Sequence, residues 1–222
     1  QELAGLPVPP RRMESYDISH TGGADQVASM VVFVDGRPLK RDYRRFQIKT
    51  CDGADDYGAM REVLTRRFRR YLDGDEKFAP LPDLLLIDGG QEHARVAEQV
   101  LAETGLDVPV LGMVKDDRHR TRALITAWGQ ELGIQQTPTL FALIGTVQEE
   151  VHRFAIAYHH QKHTRSAKRS QLDGIPGVGE ARKKRLLQHF GTVTAVKNAA
   201  LEQLSAVVPE AAARAVYEKF HG

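Results

Sequence analysis

The feature that most restricts the fold of this chain is a run of four aliphatic residues, Leu84 to Ile87, that stops at Asp88-Gly89-Gly90. A strand with no polar alternation is typical of a sheet that helices cover on both faces. Residues 108–114 form a second apolar run of the same kind, and the polar segment 115–122 follows it. The two runs predict the buried centre of an α/β sheet.

Helices are predicted where apolar residues recur at helical spacing. The first is predicted over residues 55–72, with Arg66, Arg69 and Arg70 opposite its apolar face. That apolar face consists of Met60, Val63, Leu64, Phe68, Tyr71 and Leu72. The second follows the Gly-Gly turn and includes residues 97–101. The third is longer and carries the apolar series Leu140, Leu143, Ile144, Val147, Val151, Phe154, Ala155 and Tyr158. These helices supply the layers that the buried strands require.

An antiparallel meander is predicted near the N-terminus. Residues 30–34 and 39–48 flank Asp35-Gly36, a dipeptide that suits the positive φ angles of a tight hairpin. Upstream, residues 14–19 are predicted as a short strand that ends at the turn residues Gly22-Gly23. The whole order is three strands, a helix, a strand, a helix, a strand and a terminal helix. That order predicts a ribonuclease-H-like mixed sheet with flanking helices.

Strand order also predicts which residues meet. Parallel strands need right-handed helical crossovers, which would lay the strand ending at Asp88 beside the first strand, which contains Asp17. Ligand and catalytic groups in open sheets lie at the carboxyl ends of parallel strands. Asp88 alone is an ordinary residue for starting a turn, whereas an aspartate inside a strand, such as Asp17, is disfavoured. We therefore expect the two carboxylates to form one site.

Paired carboxylates suit Mg²⁺ or Mn²⁺, which are hard cations that prefer oxygen ligands. Such an ion activates water and neutralises developing charge during phosphodiester cleavage. Histidine is a natural general base, and His152, His159, His160 and His163 are clustered along the terminal helix. His152 and His159 fall on nearly the same side of that helix. One of them lying over the sheet end and both lying in solvent are equally compatible with the sequence.

Composition and charge restrict the class of protein. The chain of 222 residues is 41% hydrophobic and 27% charged, as in globular proteins, and no stretch approaches the twenty apolar residues of a membrane span. The single cysteine, Cys51, excludes an internal disulfide and a cysteine-based zinc site, and we expect it to be structural. These features favour a cytoplasmic protein of two domains with no membrane partner.

The C-terminal part is the basic part of the chain. Residues 161–222 hold 11 Lys and Arg against 5 Asp and Glu, whereas the remaining 160 residues hold 20 against 24. Residues 161–170 are basic and lack apolar periodicity, so they are interpreted as a linker or as the end of the preceding helix. The predicted domains are residues 1–160, the linker 161–170, and an all-α domain at 171–222. A basic surface next to an acidic body indicates a polyanionic partner.

A helix-hairpin-helix pattern occupies this basic domain. Gly177 and Gly179 let the backbone turn tightly, and the following helix N-terminus presents free N–H groups to a phosphate. Lys183 and Lys184 lie close enough to add attraction to a nucleic-acid backbone. A second, glycine-free copy spans residues 204–220 and carries Glu210 at its turn. The first hairpin is predicted to bind DNA, and the second is predicted to bind it or to pack against the first.

Several motifs in order resemble the C-terminal half of the UvrC family, the incision nucleases of bacterial nucleotide excision repair. The segments are Tyr16-Asp17-Ile18-Ser19-His20-Thr21, residues 27–33, Asp55-Asp56-Tyr57-Gly58 and its continuation to 63, Ile87-Asp88-Gly89-Gly90, Lys115-Asp116-Asp117-Arg118-His119-Arg120-Thr121, and residues 152–159. The likeness continues into the hairpin region and covers nearly the whole chain.

The resemblance implies an endonuclease that uses a divalent metal to incise damaged double-stranded DNA on the 5′ side of a lesion. It implies that Asp17 and Asp88 are catalytic metal ligands and that His159 is the catalytic histidine, with His160 as the alternative. Asp56, Lys115 and Arg118 would support them, although Asp56 also suits a helix cap. The family's N-terminal half, with its contact to a UvrB-type helicase subunit, would be missing from this chain.

Two other functions compete with DNA cleavage. In the first, the carboxylates are structural and the hairpins make the chain a non-catalytic, structure-selective DNA-binding module. In the second, the nuclease fold cuts an RNA–DNA hybrid, which the tandem hairpins disfavour because they suit duplex DNA. Metal-dependent cleavage of bubble, flap and damaged duplexes, compared with hybrid cleavage, separates the three.

Overall fold

The computed structural model describes residues 1–21, 25–50, 55–117 and 120–221, with the backbone alone at 20, 21, 25 and 158–170. The chain divides into two compact units, residues 1–158 and residues 159–222. The predicted turn at Gly22-Gly23 and the predicted structural role of Cys51 fall outside the described residues. None of the helices within the described residues is long and apolar enough to cross a membrane.

A mixed sheet forms the centre of the first unit. Its order is β3-β2-β1-β5-β6-β7-β8, and β4 pairs with β2 beside β3. β1 is parallel to β5, β5 is parallel to β6, and the other pairs are antiparallel. The strands are β1 (Arg12–Thr21), β2 (Asp25–Val34), β3 (Arg37–Pro38), β4 (Arg44–Gln47), β5 (Leu84–Ile87), β6 (Val110–Lys115), β7 (Thr121–Ile125) and β8 (Glu131–Gly133).

Helices cover both faces of this sheet, as the unbroken apolar strands predict. α1 (Asp56–Leu72) and α2 (Gln91–Thr104) pack on one face, and α3 (Pro138–Ser170) packs on the other. Short 3₁₀ helices lie at Glu2–Ala4, Lys40–Asp42 and Glu76–Phe78. Alternate residues of β5 enter the two cores, Leu85 and Ile87 towards α1 and α2, Leu84 and Leu86 towards α3. The predicted adjacency of β5 and β1 is confirmed.

The hairpin after β2 forms as predicted, but the third strand does not. Asp35 and Gly36 adopt φ angles of 50° and 75°, the positive values that a tight hairpin needs. The strand predicted over residues 39–48 is replaced by β3, the 3₁₀ helix Lys40–Asp42 and β4. Pro38 has no N–H to continue a ladder, so the chain leaves β2 and returns to it at Arg44.

Helix α1 matches its prediction closely, with two exceptions. Asp55 caps its start by accepting a hydrogen bond from the Gly58 N–H at 2.9 Å. Its buried face contains Met60, Val63, Leu64 and Phe68, as expected, but Leu72 is exposed. Arg67 is also fully buried, although arginine side chains are rarely buried unless they have a partner. Its partner is Glu14 of β1, so a long-range ion pair places this charge in the core.

The second unit is helical. Residues 161–170, predicted as a linker or a helix end, belong to α3, which runs to Ser170. Next come α4 (Glu180–Phe190), α5 (Val193–Lys197), α6 (Leu201–Ser205) and α7 (Glu210–His221). These helices share a small core whose members are Leu172, Ile175, Val178, Leu186, Val193, Val196, Ala199, Leu204, Val208, Ala212, Ala213 and Val216.

Candidate active site

The two predicted aspartates lie on neighbouring parallel strands. Tyr16 of β1 pairs with Ile87 of β5, and the Asp88 N–H donates to the Tyr16 carbonyl at 2.8 Å. Asp17 and Asp88 are therefore the next residues along two hydrogen-bonded strands. Their adjacency follows from chain order and crossover handedness alone, as predicted.

Both carboxylates lie on the sheet face that α3 covers. Side chains alternate along a strand, so Asp17 shares its face with Met13, and Asp88 shares its face with Leu84 and Leu86. Met13, Leu84 and Leu86 all belong to the core beneath α3. The site is thus the polar end of an otherwise apolar face.

Lys115, the last residue of β6, is the cation of the site. Its Nζ lies 2.8 Å from Oδ1 and 3.0 Å from Oδ2 of Asp88, whose side chain is only 2% exposed. The bond to Oδ2 has hydrogen-bond geometry, whereas Oδ1 is buried and has no hydrogen-bond donor among the described residues. The sequence placed Lys115 at the start of a loop, but a register shift at Val114/Lys115 keeps it on the strand.

Burial is the main influence on the pKa of Asp17. Burial, and next the negative charge of Asp88, raise the pKa of Asp17 to about 7, while Lys115 opposes this and Asp56 adds to it. Asp17 therefore lies within reach of Asp88, Asp56 and Lys115. Two carboxylates with one lysine leave an excess of negative charge that favours a cation.

Asp56 approaches the site from the start of α1. Asp55, not Asp56, caps the helix, so the capping role considered for Asp56 belongs to its neighbour. Burial lowers the pKa of His93 in the first turn of α2, and the charges of Asp56 and Asp88 partly oppose this. His93 also contacts the ring of Tyr57, with 4.6 Å between centroids. His93 was absent from the sequence prediction, since nothing local marked it.

His152 of α3 is the described histidine nearest to Asp17. Its Nδ1 lies 3.9 Å from Asp17 Oδ2, and its side chain is 61% exposed. The sequence identified His152 as one of two histidines that could lie over the sheet end. The side chains of His159, His160 and His163 fall outside the described residues, as does Arg118.

Close backbone packing fixes the turn after Asp88. A Cβ on Gly112 would lie 2.6 Å from the Gly89 carbonyl oxygen, and a Cβ on Gly89 would lie 2.6 Å from the ring of His93. Only glycine fits at either position without displacing its neighbour. The pair of glycines lets β6 and the start of α2 approach the aspartates closely.

Two further polar groups lie on the same sheet face. Ser15 precedes Asp17 by two residues, and Ser29 is its cross-strand partner on β2. Both side chains are buried, and neither hydroxyl oxygen has a hydrogen-bond partner in the described part of the chain. Unsatisfied buried hydroxyls are uncommon and call for a physical reason.

The donor set fits a hard divalent cation. Asp17 and Asp88 offer carboxylate oxygens at a site with excess negative charge. Among the described residues no group of three or more His, Cys, Asp or Glu side chains could hold a metal ion. Asp17 and Asp88 would supply carboxylate ligands, and Mg²⁺ commonly keeps several waters beside one or two carboxylates.

A cavity of about 670 Å³ adjoins the carboxylates on the α3 side. Lys115 and His152, which contact Asp88 and Asp17, line one part of it, and Arg120 and Phe141 line another. The site is thus open to a substrate larger than water.

The first hairpin of the second unit has the predicted backbone. Gly177 has a φ of +78°, which other residues rarely adopt, and Gly179 caps α4 without a side chain. A Cβ on Gly179 would meet nothing within 4 Å, so the N-terminus of α4 is accessible. The Arg182 guanidinium donates to the Gly177 carbonyl and holds the turn.

The two predicted lysines of this hairpin differ. Lys183 is 6% exposed, and its ammonium pairs with Asp173 and Glu180. Lys184 is exposed. The placement gives Lys183 a structural role within the unit and leaves Lys184 available to a ligand.

The glycine-free second hairpin packs against the first. A Cβ on Gly177 would lie 3.6 Å from the Cβ of Ala212 in α7, and Val208 and Ala212 share the core of Ile175 and Val178. Glu210 at the turn pairs with Arg214. Packing, the plainer of the two predicted roles, is thus observed for this hairpin.

The sheet topology and the polar end of its central strands define a ribonuclease-H-like domain, followed by a helix-hairpin-helix unit. A family model for the UvrC RNAse H endonuclease domain matches residues 1–156, and one for a SAM-like helix-hairpin-helix tandem matches residues 170–221. The chain belongs to the UvrC family.

Relatives in this family are similar over nearly the whole chain. UvrABC system protein C of Finegoldia magna is 48% identical over 210 residues, covering 93% of this chain and 34% of that protein. The protein of the same name from Clostridium acetobutylicum is 43% identical over 235 aligned positions, covering 100% of this chain and 38% of that protein. The chain thus spans about a third of the length of these relatives.

Solved structures resemble the chain more distantly. A crystal structure of human ENDOV matches with a TM-score of 0.44 at 11% identity, covering 69% of this chain and 86% of that one. The catalytic domain of human Endonuclease V matches with a TM-score of 0.35 at 17% identity, covering 55% of this chain and 60% of that one.

Proposed function

We propose that this chain is a divalent-metal-dependent DNA endonuclease that makes the 5′-side incision at lesions in nucleotide excision repair. The observation that carries the proposal is the pair Asp17 and Asp88, buried on adjacent parallel strands beside a substrate-sized cavity. Membership of the UvrC family supports the same chemistry. The proposed substrate is damaged double-stranded DNA.

Asp17 and Asp88 are the proposed metal ligands, and Mg²⁺ or Mn²⁺ is the proposed ion. When bound, the ion supplies neutralisation of phosphate charge and activation of water. The chain's own contribution is to keep both carboxylates out of bulk solvent, which strengthens their attraction for a cation. Lys115 holds the Asp88 carboxylate and limits the negative charge that a DNA phosphate meets. Asp56 and Arg118 are proposed to support the site.

His159 is the proposed general base, on the strength of the family resemblance. His152 is proposed to position Asp17, because its imidazole lies 3.9 Å from that carboxylate. The two roles predict different losses. His159→Ala should reduce nicking at saturating metal and DNA. His152→Ala should mainly raise the metal concentration needed for half-maximal nicking, with a smaller effect at saturation.

The hairpin unit is proposed to hold the DNA backbone at the N-terminus of α4. Gly179 leaves this terminus open, and the free N–H groups of a helix start attract phosphate. Lys184 adds sequence-independent attraction. The proposed protein partner is a UvrB-type helicase subunit.

Nicking of DNA tests the catalytic proposal. The chain is incubated with Mn²⁺ or Mg²⁺ and with duplexes that carry a bubble, a flap or a lesion, beside an RNA–DNA hybrid. Asp17→Asn and Asp88→Asn should each reduce DNA nicking by about a thousandfold or more, the scale of losing one member of a catalytic group. DNA affinity should remain nearly unchanged.

The alternative, a non-catalytic DNA-binding module, predicts no metal-dependent cleavage of any of these substrates by the wild-type chain. Full nicking by Asp17→Asn would refute the assignment of the carboxylates, and faster cleavage of the hybrid would refute the DNA substrate.

A separate measurement tests the hairpin. Gly179→Val places a side chain in open space at an ordinary φ of −80°, so the unit should fold while phosphate approach is blocked. Affinity for a short duplex, measured by fluorescence anisotropy, should fall and depend less on salt. Gly133→Val, at a strand glycine of β8 that also faces open space, is the control. Equal affinity in both variants would contradict the phosphate role.

A further inference from the structure

The turn between β7 and β8 presents an unusual side chain. Trp128 is the only tryptophan of the chain, and it is 85% exposed. Burying a large aromatic ring lowers the free energy of the folded protein, and a ring that stays in water does not contribute this stabilisation. The position therefore needs a reason other than packing within this chain.

The turn that carries Trp128 is held firmly. The Thr126 N–H donates to the Gln130 carbonyl at 3.0 Å, and the Gln130 N–H donates to the Thr126 hydroxyl oxygen at 3.1 Å. The Gly129 N–H donates to the Thr126 carbonyl at 3.1 Å, and Gly129 turns with a φ of +89°. Ala127, directly before the tryptophan, is buried in the core beneath α1 and α2. The exposed ring thus stands on a fixed base, which lowers the entropy cost of binding a ligand.

The turn is also joined to the helix that follows Asp88. Gln91, the first residue of α2, donates to the Ala127 carbonyl at 3.3 Å, and a Cβ on Gly129 would lie 3.1 Å from the Gln91 amide. Gln91 follows Asp88 by three residues, a span of at most about 10 Å of extended chain. The turn of Trp128 is therefore held against the start of the helix that leaves the candidate active site.

A second aromatic contact flanks the same helix start. Tyr57, which is 48% exposed, packs on His93 in the first turn of α2. The negative charges of Asp56 and Asp88 act on the pKa of His93. The first turn of α2 is thus contacted by Tyr57 through His93 and by the tryptophan turn through Gln91. Both aromatic side chains are thus linked to the start of the helix that follows Asp88.

The chemistry around Trp128 favours a base over a protein surface. The residues that follow it, Gly129, Gln130 and Glu131, are polar or small and exposed, whereas a protein interface has a continuous apolar centre. Glu131 is paired with Arg122 at 2.8 Å, which offsets a charge that would repel a nucleic acid. A single flat ring without apolar neighbours suits stacking on one nucleobase.

We infer that Trp128 is a stacking platform for an unpaired base of the DNA strand whose phosphate lies at Asp17 and Asp88. The inference rests on the proposed function for its substrate and adds a site that selects strands with unpaired bases near the cut. Stacking tolerates any base, because every base has a flat π face. The platform would favour opened DNA over fully paired duplex without reading its sequence.

Intrinsic fluorescence gives a direct test, because Trp128 is the only tryptophan. The wild-type chain is titrated in EDTA with a duplex that contains an unpaired bubble and with a fully paired duplex of equal length. The bubble should quench and saturate the tryptophan emission along the same curve as binding measured by anisotropy. The paired duplex should leave the emission largely unchanged. Unchanged emission with the bubble at saturation, or no binding of it, overturns the inference.

Variants give an independent measurement. Trp128→Ala should bind the bubble roughly 5- to 150-fold more weakly, the range for one lost base–aromatic stack. Trp128→Phe should recover much of this loss, and the paired duplex should be unaffected by either change. Leu72→Ala, which removes another exposed apolar side chain from the end of α1, is the matched control. Equal bubble affinity in Trp128→Ala and in the control overturns the inference.

The two proposals fail separately. If the bubble quenches the tryptophan emission of the wild-type chain but the chain never nicks DNA, the stacking inference is supported and the nuclease proposal fails. If Asp17→Asn abolishes nicking while the bubble leaves the emission unchanged, the nuclease proposal stands and the platform fails.

Discussion

Strand β1 carries Glu14 on the face towards α1 and Asp17 on the face towards α3, and the two buried carboxylates have opposite surroundings. Glu14 accepts hydrogen bonds from the Tyr16 hydroxyl at 2.7 Å and from two nitrogens of Arg67 at 2.8 and 3.1 Å. Among the described residues, Asp17 has no comparable donor, and its only ion-pair contact is His152 at 3.9 Å. Three residues apart, one carboxylate has several close donors and the other has only a distant histidine among the described residues.

The comparison separates stability from function. A buried charge is tolerated when a partner and hydrogen bonds replace its water, and Arg67 supplies both, since it also donates to the carbonyls of Phe78 and Pro80. Asp17 instead lies beside a second carboxylate, which raises its pKa to about 7. Departures from local consistency are expected at functional sites. The Glu14 cluster thus serves the stability of the fold, and the Asp17 cluster forms the candidate active site.

Removing Arg67 should have the largest effect on stability. Arg67→Met leaves Glu14 buried without its main partner, so the free energy of unfolding should fall by about 3–5 kcal/mol. Urea denaturation at pH 7.5 measures the change. Arg61→Met on the same helix removes an exposed pair with Glu103 and should cost less than about 1 kcal/mol. Equal losses would show that the buried pair has no special role.

The Asp17 face should show the reverse behaviour as pH changes. In metal-free protein Asp17 holds its proton up to about pH 7, whereas an unfolded chain releases it near 3.8. The folded state therefore binds more protons between these values, so this contribution is complete below pH 3.8 and is lost as pH rises through 7. The total loss should be about 4 kcal/mol, from about three pKa units at 1.36 kcal/mol each.

Asp17→Asn removes this dependence. The difference in unfolding free energy between the variant and the wild type, measured in EDTA at pH 5 and pH 8, should shift in favour of the variant at the higher pH. A difference that is the same at both values would contradict the raised pKa. Glu14→Gln, by contrast, should destabilise the protein at pH 8, because the neutral amide weakens the bonds from Arg67.

Chain order predicted the Asp17 face better than the Glu14 face. The adjacency of Asp17 and Asp88 follows from strand order and crossover handedness, which are properties of the backbone path. Arg67 occupies a helical position within the apolar stripe of α1, but its partner is 53 residues away in sequence. The sequence offers no local signal for such a pair, so Arg67 and Glu14 were missed.

Short or tertiary features account for the other differences. β7 and β8 have five and three residues, too few for a clear alternation, and they were not predicted. The strand was predicted to end at residue 114, before Lys115. The register shift in the β6–β7 pair that extends β6 to Lys115 has no signal in the sequence. His93 reaches the site only because Gly89 leaves room for its ring.

Binding of a divalent metal at Asp17 and Asp88 should stabilise the fold. At pH 8, Mn²⁺ at one hundred times its dissociation constant should stabilise the wild-type fold by about 2.7 kcal/mol, seen as a higher melting temperature. Asp17→Asn and Asp88→Asn should each lose most of this increase, whereas Glu14→Gln should keep it despite its lower starting stability. An equal increase in all variants would place the binding elsewhere.

The smallest effect should come from the buried hydroxyls beside Asp17. Ser29 faces Asp17 across the strand pair, and its hydroxyl has no partner among the described residues. Removing an unsatisfied buried hydroxyl costs little or stabilises, so Ser29→Ala should change the metal-free stability by less than about 0.5 kcal/mol or raise it. If the Ser29 hydroxyl contributes to metal binding, its removal should weaken the stabilisation that added metal provides. Ser29→Ala should then gain less from Mn²⁺ than the wild type, and an unchanged gain would confine Ser29 to a passive place in the core.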